Sequence, residues 1–269
     1  GRTREARSGR GNTDITPHRK IRAADFSLAR CRCSPPSRGE TKSFSILLDG
    51  KPIKTPLRAT LALPTRALAE AVAEEWRGQG ELVVPTTMWL TKLANTAIDR
   101  VMGQEEHVIA QVLAYANDLL CYRAQAPAGL VARQNEDWDP LLEWAAERHG
   151  ARLLVRAGIS HIAQPEEAVA ALRRALAEHD PFVLTALHAA ATICGSLVLA
   201  LALADGRLDA EEAFALSRLD ERYQAERWGV DEEAEMRARV LAAELAAAAR
   251  FMLLSKGEPD YAHPSTSSG

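Results

Sequence analysis

Between positions 182 and 204 the chain runs for 23 residues without an Asp, Glu, Lys or Arg. Such a segment has two physical fates. At about 20 residues a helix is long enough to cross a bilayer; the alternative is a helix buried on all sides by neighbouring helices. Against the membrane stand His188, the hydroxyls of Thr185, Thr192 and Ser196, and a composition led by Ala, because insertion scales reward Leu, Ile, Phe and Val far more. The reading adopted is a central buried helix with Gly195 allowing close helix approach, and a membrane-embedded helper through 182–204 stays as an alternative. A helix buried all round requires other helices to bury it, so the chain is predicted to be mostly helical.

The pattern on either side supplies those helices. Thr65 can cap a helix that carries Leu68, Val72 and Trp76 on one stripe and stops at Gly78. Periodic apolar positions predict further helices over 88–101 and 104–120, with Gly103 between them, and over 165–179. Pro127 to Gly129 read as a turn, Asp139-Pro140 as the start of a helix ending at Gly150, and 152–155 as a strand. Asp209 and Glu212 form a capping pattern for a helix to Trp228-Gly229, and Asp231 starts a last helix that Gly257 stops. Before all of these, FSILL at 44–48, Asp49-Gly50 and KPIKT at 51–55 form a hairpin with a two-residue turn, and 60–63 offers a third short strand.

The resulting class is α+β: a small N-terminal β-containing domain followed by a larger all-helical C-terminal domain. The boundaries read as a basic, disordered or atypical extension at 1–43, a β-rich unit at 44–83, a helical bundle at 84–257 and a loose tail at 258–269. The extension carries eleven basic against four acidic residues, whereas the rest carries 22 against 32. An Arg- and Ser-rich start of this kind fits an organelle-targeting peptide, although Glu5, Asp14, Asp25 and Glu40 argue against one. An acidic body with only 14 aromatic residues lacks the basic footprint and stacking surface of a nucleic-acid binder.

Little in the sequence points to catalysis. There is no Gly-rich dinucleotide or phosphate fingerprint, no H-E-x-x-H and no G-x-S-x-G. Four cysteines without a C-x-x-C pair make neither a disulfide framework nor a zinc site, and Cys31-Arg-Cys33 lacks the second half of a metal pair. The remaining chemical candidates are His188 in its apolar helix and two acidic groups, Glu136-Asp137-Asp139-Glu143 and Asp231-Glu232-Glu233. Either could serve an uncharacterised helical enzyme. The simpler reading is a core histidine and helix N-termini whose acids complement the dipole.

Five segments carry a more specific signal: LLDGKPIKTP at 47–56, LALPTRALAEAVAEEW at 61–76, MWLTKLANTAIDRV at 88–101, NDLLCYRA at 117–124 and LSRLDERYQAERWG at 216–229. In order and spacing they resemble the F-type ATP synthase assembly chaperone family, whose members hold the free alpha subunit of the catalytic head before it joins beta. The resemblance implies the same two-part fold, no catalysis, no cofactor and no metal. Its implied partner is the alpha subunit, bound by a monomer in the bacterial cytoplasm or, alternatively, the mitochondrial matrix. It points to Trp76, Glu221, Gln224, Trp228, Asp231, Glu232 and Glu233 as partner-binding positions. Family members also place an aromatic, basic strand before the FSILLDG segment, and no such strand is matched within 22–43.

Overall fold

The computed structural model describes residues 26–32, 42–80 and 82–256. Strand β1 (Phe26–Arg32) pairs antiparallel along its whole length with β2 (Lys42–Leu48), and β2 pairs on its other edge with β3 (Lys51–Pro52) and β4 (Ala62–Leu63). The β2–β3 hairpin and the third strand fall where expected but are shorter, with β3 limited to Lys51–Pro52 of the expected 51–55 and β4 to Ala62–Leu63 of 60–63. Asp49 and Gly50, at φ 51° and 73°, take the left-handed conformations that a two-residue turn demands.

β1 corrects the sequence reading, because it lies inside the extension expected to be disordered or atypical and fills the place where no strand is matched. Its own apolar alternation amounts to Phe26 and Leu28 among Arg, Ser and Cys. The strand exists through its partner: Phe26 stands opposite Leu48 and Leu28 opposite Ile46, cross-strand pairs that complete one apolar face. Helix α1 (Arg66–Arg77) packs on the sheet, with Leu68 and Val72 fully buried and Thr65 Oγ1 accepting the Leu68 N–H at 3.0 Å. Cys33 and Gly257 lie outside the described residues.

Helix α2 (Trp89–Thr96) runs into a π-helical turn, Ala97–Val101, before Gly103 breaks the chain at φ 80°. Asp99 in that turn accepts from Thr55 Oγ1 at 2.7 Å and from the Leu57 N–H at 3.1 Å, tying the hairpin region to the helices. Helix α3 (Glu105–Val112) is shorter than the 104–120 helix expected, passing into 3-10 turns at Leu113–Ala116 and Leu119–Cys121. Strand β5 (Tyr122–Arg123) follows and pairs in parallel with β6 (Arg156–Ala157), so the later strand lies beyond 152–155.

The turn at 127–129 and the helix start at Asp139-Pro140 are also corrected. One helix, α4 (Ala128–His149), runs through Pro140. Leu130, Gln134, Trp138, Leu141, Leu142 and Ala145 keep one buried stripe across the proline. That burial outweighs the hydrogen bond the proline removes.

Helix α5 (Glu166–Ala177) is as expected. The uncharged stretch is not one helix: α6 (Pro181–Cys194) ends at Gly195, φ 64°, and α7 (Leu197–Ala204) begins after Ser196, whose Oγ accepts the Leu199 N–H at 3.0 Å. A left-handed glycine followed by a hydroxyl cap ends one helix and starts the next. Every residue of α7 is buried, and no helix among the described residues is long and apolar enough to cross a membrane. That overturns the membrane-spanning alternative.

Asp118 holds the break. Its carboxylate accepts the Leu120 N–H at 3.0 Å and the Val198 N–H at 2.9 Å, while the Leu119 N–H donates to Gly195 O at 3.1 Å. The helix expected from Asp209 to Trp228 is likewise two, α8 (Ala210–Ser217), with its capping box, and α9 (Leu219–Trp228). The last helix, α10 (Glu232–Ser255), packs against α6, α2, α8, α1 and α7, and Phe251 stacks on Phe182 at 6.2 Å.

Candidate functional site

Of the seven positions expected to bind a partner, Trp228, Asp231, Glu232 and Glu233 lie at the α9–α10 junction, while Glu221 and Gln224 lie further back along α9. Trp228 closes α9 with 77% of its surface exposed, Gly229 turns the chain at φ 91°, and Val230 is 62% exposed. Asp231 caps α10 by accepting the Glu233 and Ala234 N–H groups at 2.9 and 3.4 Å. Glu232 and Glu233 stand exposed in the first turn, Glu233 paired with Arg237. On α9, Glu221 lies 3.5 Å from Arg218 and Gln224 is exposed.

This junction rests on a fixed base. Gln134 of α4 donates to Asp220 at 2.7 Å, and Arg133 reaches both Glu226 oxygens at 2.9 and 3.0 Å. The buried Tyr223 ring lies 5.6 Å from the Arg133 guanidinium and 3.8 Å from that of Arg227. From this base α10 projects: its buried residues begin only at Leu245.

Met236 and Val240, one helical turn apart on the projecting half, are 69% and 53% exposed. Sequence reasoning missed both. An alternating helical pattern marks an apolar stripe, but it does not say whether another element covers it. Glu232, Met236 and Val240 follow one another at four-residue spacing on one face of α10, just after the exposed Trp228 and Val230, so exposed apolar side chains stand among carboxylates, the composition of a protein-contact patch with a charged rim.

Trp76 lies elsewhere, on α1. It is half-buried against the core, with its indole N–H buried and unpartnered. The motif residue with a defined task is its neighbour Glu75, which accepts the Leu90 and Thr91 N–H groups at 2.8 Å each and the Thr91 hydroxyl at 2.7 Å. Glu75 thus caps α2 from outside, where Met88 offers no side-chain cap. Glu75→Ala is expected to cost about 2 kcal/mol, read as a lower urea midpoint with an unchanged slope; a loss below about 0.5 kcal/mol would show that water replaces the cap.

His188 lines a trough of about 620 Å³ between α2, α3, α6 and α10. Burial pushes its imidazole below the usual histidine range, so the ring is neutral at pH 7. Among the described residues no three His, Cys, Asp or Glu side chains group as a metal site. Of the acidic groups, Asp139 is engaged by Arg123 at 2.8 Å and Asp231 caps α10.

Residues 31–146 match the family described as ATP12 chaperone protein, which places the chain in the class of molecular chaperones. It is 43% identical to the crystal structure of Atp12 from Paracoccus denitrificans, with a TM-score of 0.80 over 88% of this chain and 98% of that one. A solved structure from Agrobacterium tumefaciens is also 43% identical, with a TM-score of 0.79, covering 86% of this chain and 84% of that one. The mitochondrial protein atp12 of Schizosaccharomyces pombe is 29% identical over 202 residues, 70% of this chain and 69% of its own. The chain belongs to the ATP12 chaperone family, non-enzymatic assembly factors of the F-type ATP synthase. The enzyme reading built on His188 or an acidic cluster falls with that membership.

Proposed function

We propose that this chain binds the free alpha subunit of the synthase head, covers the surface that alpha will later present to beta, and hands it over during assembly. The observation that carries this reading is the α9–α10 junction of a family chaperone: Trp228, Val230, Met236 and Val240 exposed together beside Asp231, Glu232 and Glu233. A subunit destined for an alternating ring exposes a large apolar interface while alone, and an uncovered interface aggregates. Covering it reversibly calls for a moderate apolar contact with a charged rim that steers encounter without making release slow. The projecting half of α10 has that make-up. In this reading Trp76 supports the fold of α1 and the junction meets the client. The factor acts as a monomer in the bacterial cytoplasm, a setting consistent with its two described free, buried cysteines.

The test is capture of separately produced alpha and beta subunits by the purified chain. Alpha and not beta is expected to be retained. Glu232→Lys should weaken capture about tenfold and steepen its loss with salt, while Trp228→Ser weakens it by a similar factor. Both side chains are exposed, so thermal unfolding should stay where it was. A folded wild-type sample that retains neither subunit, or retains beta as well as alpha, overturns the proposal.

A further inference from the structure

The apolar stripe of α10 does not end where the helix meets the body. Met236, Val240, Glu244 and Ala247 follow one another at helical spacing, and Glu244, Ala247 and Ala248 form one wall of the trough that contains His188. The exposed face and the trough are therefore one surface, about 17 Å long from Met236 to Ala247 at the rise of an α-helix. The trough floor is apolar, made by Leu93 and Val101, by Val108 of α3 and by Ala189 and Ile193 of α6. Its rim is basic, although the chain beyond the first 43 residues is acidic. Arg100 is exposed with no carboxylate in ion-pair range among the described residues; Lys92 reaches only Glu244, at 3.4 Å; and His107 stands beside them. In the wall, the His188 ring has no hydrogen-bond partner among the described residues.

We propose, resting on the function above, that this trough seats a segment of the unassembled alpha subunit that is apolar on one side and carries a carboxylate, which pairs with Arg100. The apolar side lies along Met236, Val240 and Ala247 and fills the floor between α3 and α6. A helical segment of about 11 residues or an extended one of about five matches the length of the surface. His188 offers its ring to a polar group of the bound segment. The α9–α10 junction then meets the client at one end of this surface, and the trough holds it at the other.

The decisive experiment is alpha-subunit capture by the full chain carrying Thr96→Trp or Arg100→Glu, with Arg100→Lys and Arg152→Glu as comparisons. Thr96 is exposed on the lip of the trough and its hydroxyl bonds only the Lys92 carbonyl of its own helix, at 2.9 Å, so an indole there blocks the trough without entering the core. Thr96→Trp and Arg100→Glu are each expected to weaken capture about tenfold or more, with unchanged thermal unfolding. Arg100→Lys should retain most of the capture, and Arg152→Glu, on exposed chain outside the trough, all of it. Capture by both trough variants at the wild-type level, while Glu232→Lys still weakens it, overturns the trough inference and leaves the parent reading standing. A wild-type dimer that Thr96→Trp converts to monomer would overturn it too, since the occupant would then be a second copy of this chain. If the wild type itself fails to capture alpha, the parent reading fails and takes this one with it.

Discussion

Arg123→Ala is expected to lower the unfolding free energy by about 3–5 kcal/mol, the largest single-residue loss argued for this chain. The guanidinium is buried and donates to Leu120 O and Gln134 O at 2.9 Å each, to Asn135 Oδ1 at 3.1 Å and to Asp139 at 2.8 Å, while stacking 5.3 Å from the Trp138 ring. The Asp139 contact is not the main source of the loss, because that carboxylate is 53% exposed and water replaces its partner. The two carbonyls matter more: each loses its donor in a closed site, at about 1–3 kcal/mol apiece. Arg123→Lys should recover less than half, since a point charge on a flexible stem cannot fork to several acceptors. Arg66→Ala, on an exposed i,i+4 pair with Glu70, should cost under about 0.5 kcal/mol. Urea unfolding of the three variants decides it, and an Arg123→Ala chain within about 1 kcal/mol of wild type refutes the argument. The same variant should also lose alpha capture, because α4 is the base on which α9 and the junction stand.

What was legible in the sequence follows from which forces are local. The hairpin at Asp49-Gly50, the Thr65 cap, the capping box at Asp209 and the start of α10 at Asp231 depend on contacts within a few residues, and their residue types announce them. β1 was illegible because only its pairing with β2 makes it a strand. The break at Gly195 was misread for a related reason: glycine inside an apolar run reads as close packing, and the group that fixes the break, Asp118, lies 80 residues from the Val198 amide it accepts. Pro140 misled in the opposite direction, since a local helix breaker was overridden by a buried stripe that continues past it. For the candidate site the motif positions drew attention to the α9–α10 junction. Met236 and Val240 were out of reach because exposure belongs to the assembled helices. Arg100 was out of reach as well, being one arginine among many until the fold sets it on a rim where, among the described residues, no carboxylate comes within ion-pair range of it.

Asp118 carries the second large effect, and its direction separates it from the histidines. Burial pushes its carboxyl up to about 6, against 3.8 for an ordinary aspartate, even though the amides of Val198 and Leu120 and the Ser196 side chain pull the other way. The native state thus holds this proton more tightly than the unfolded chain does. The stabilisation from Asp118 is full below the unfolded value and is lost as pH rises through the native one, a span of about 3 kcal/mol in the limit and about 1 kcal/mol between pH 7 and pH 5. His149, His179 and His188 act with opposite sign, since burial lowers all three and their contribution is lost as pH falls. Their effect can mask that of Asp118 in a plain pH profile. Cys121 and Cys194, both pushed up to about 12, stay neutral throughout. The measurement is therefore a difference: urea unfolding of wild type and Asp118→Asn at pH 7 and at pH 5, in which the histidine contributions cancel. The Asp118→Asn change keeps one acceptor but turns an amide N–H₂ toward a backbone N–H, leaving a buried donor unmet at about 1–3 kcal/mol at either pH. Wild type is expected to gain about 1 kcal/mol on the variant as pH falls from 7 to 5. A gap that stays constant, or narrows, would mean that the amides and the α7 N-terminus offset the burial and keep this carboxylate ionised at pH 5 as well as at pH 7.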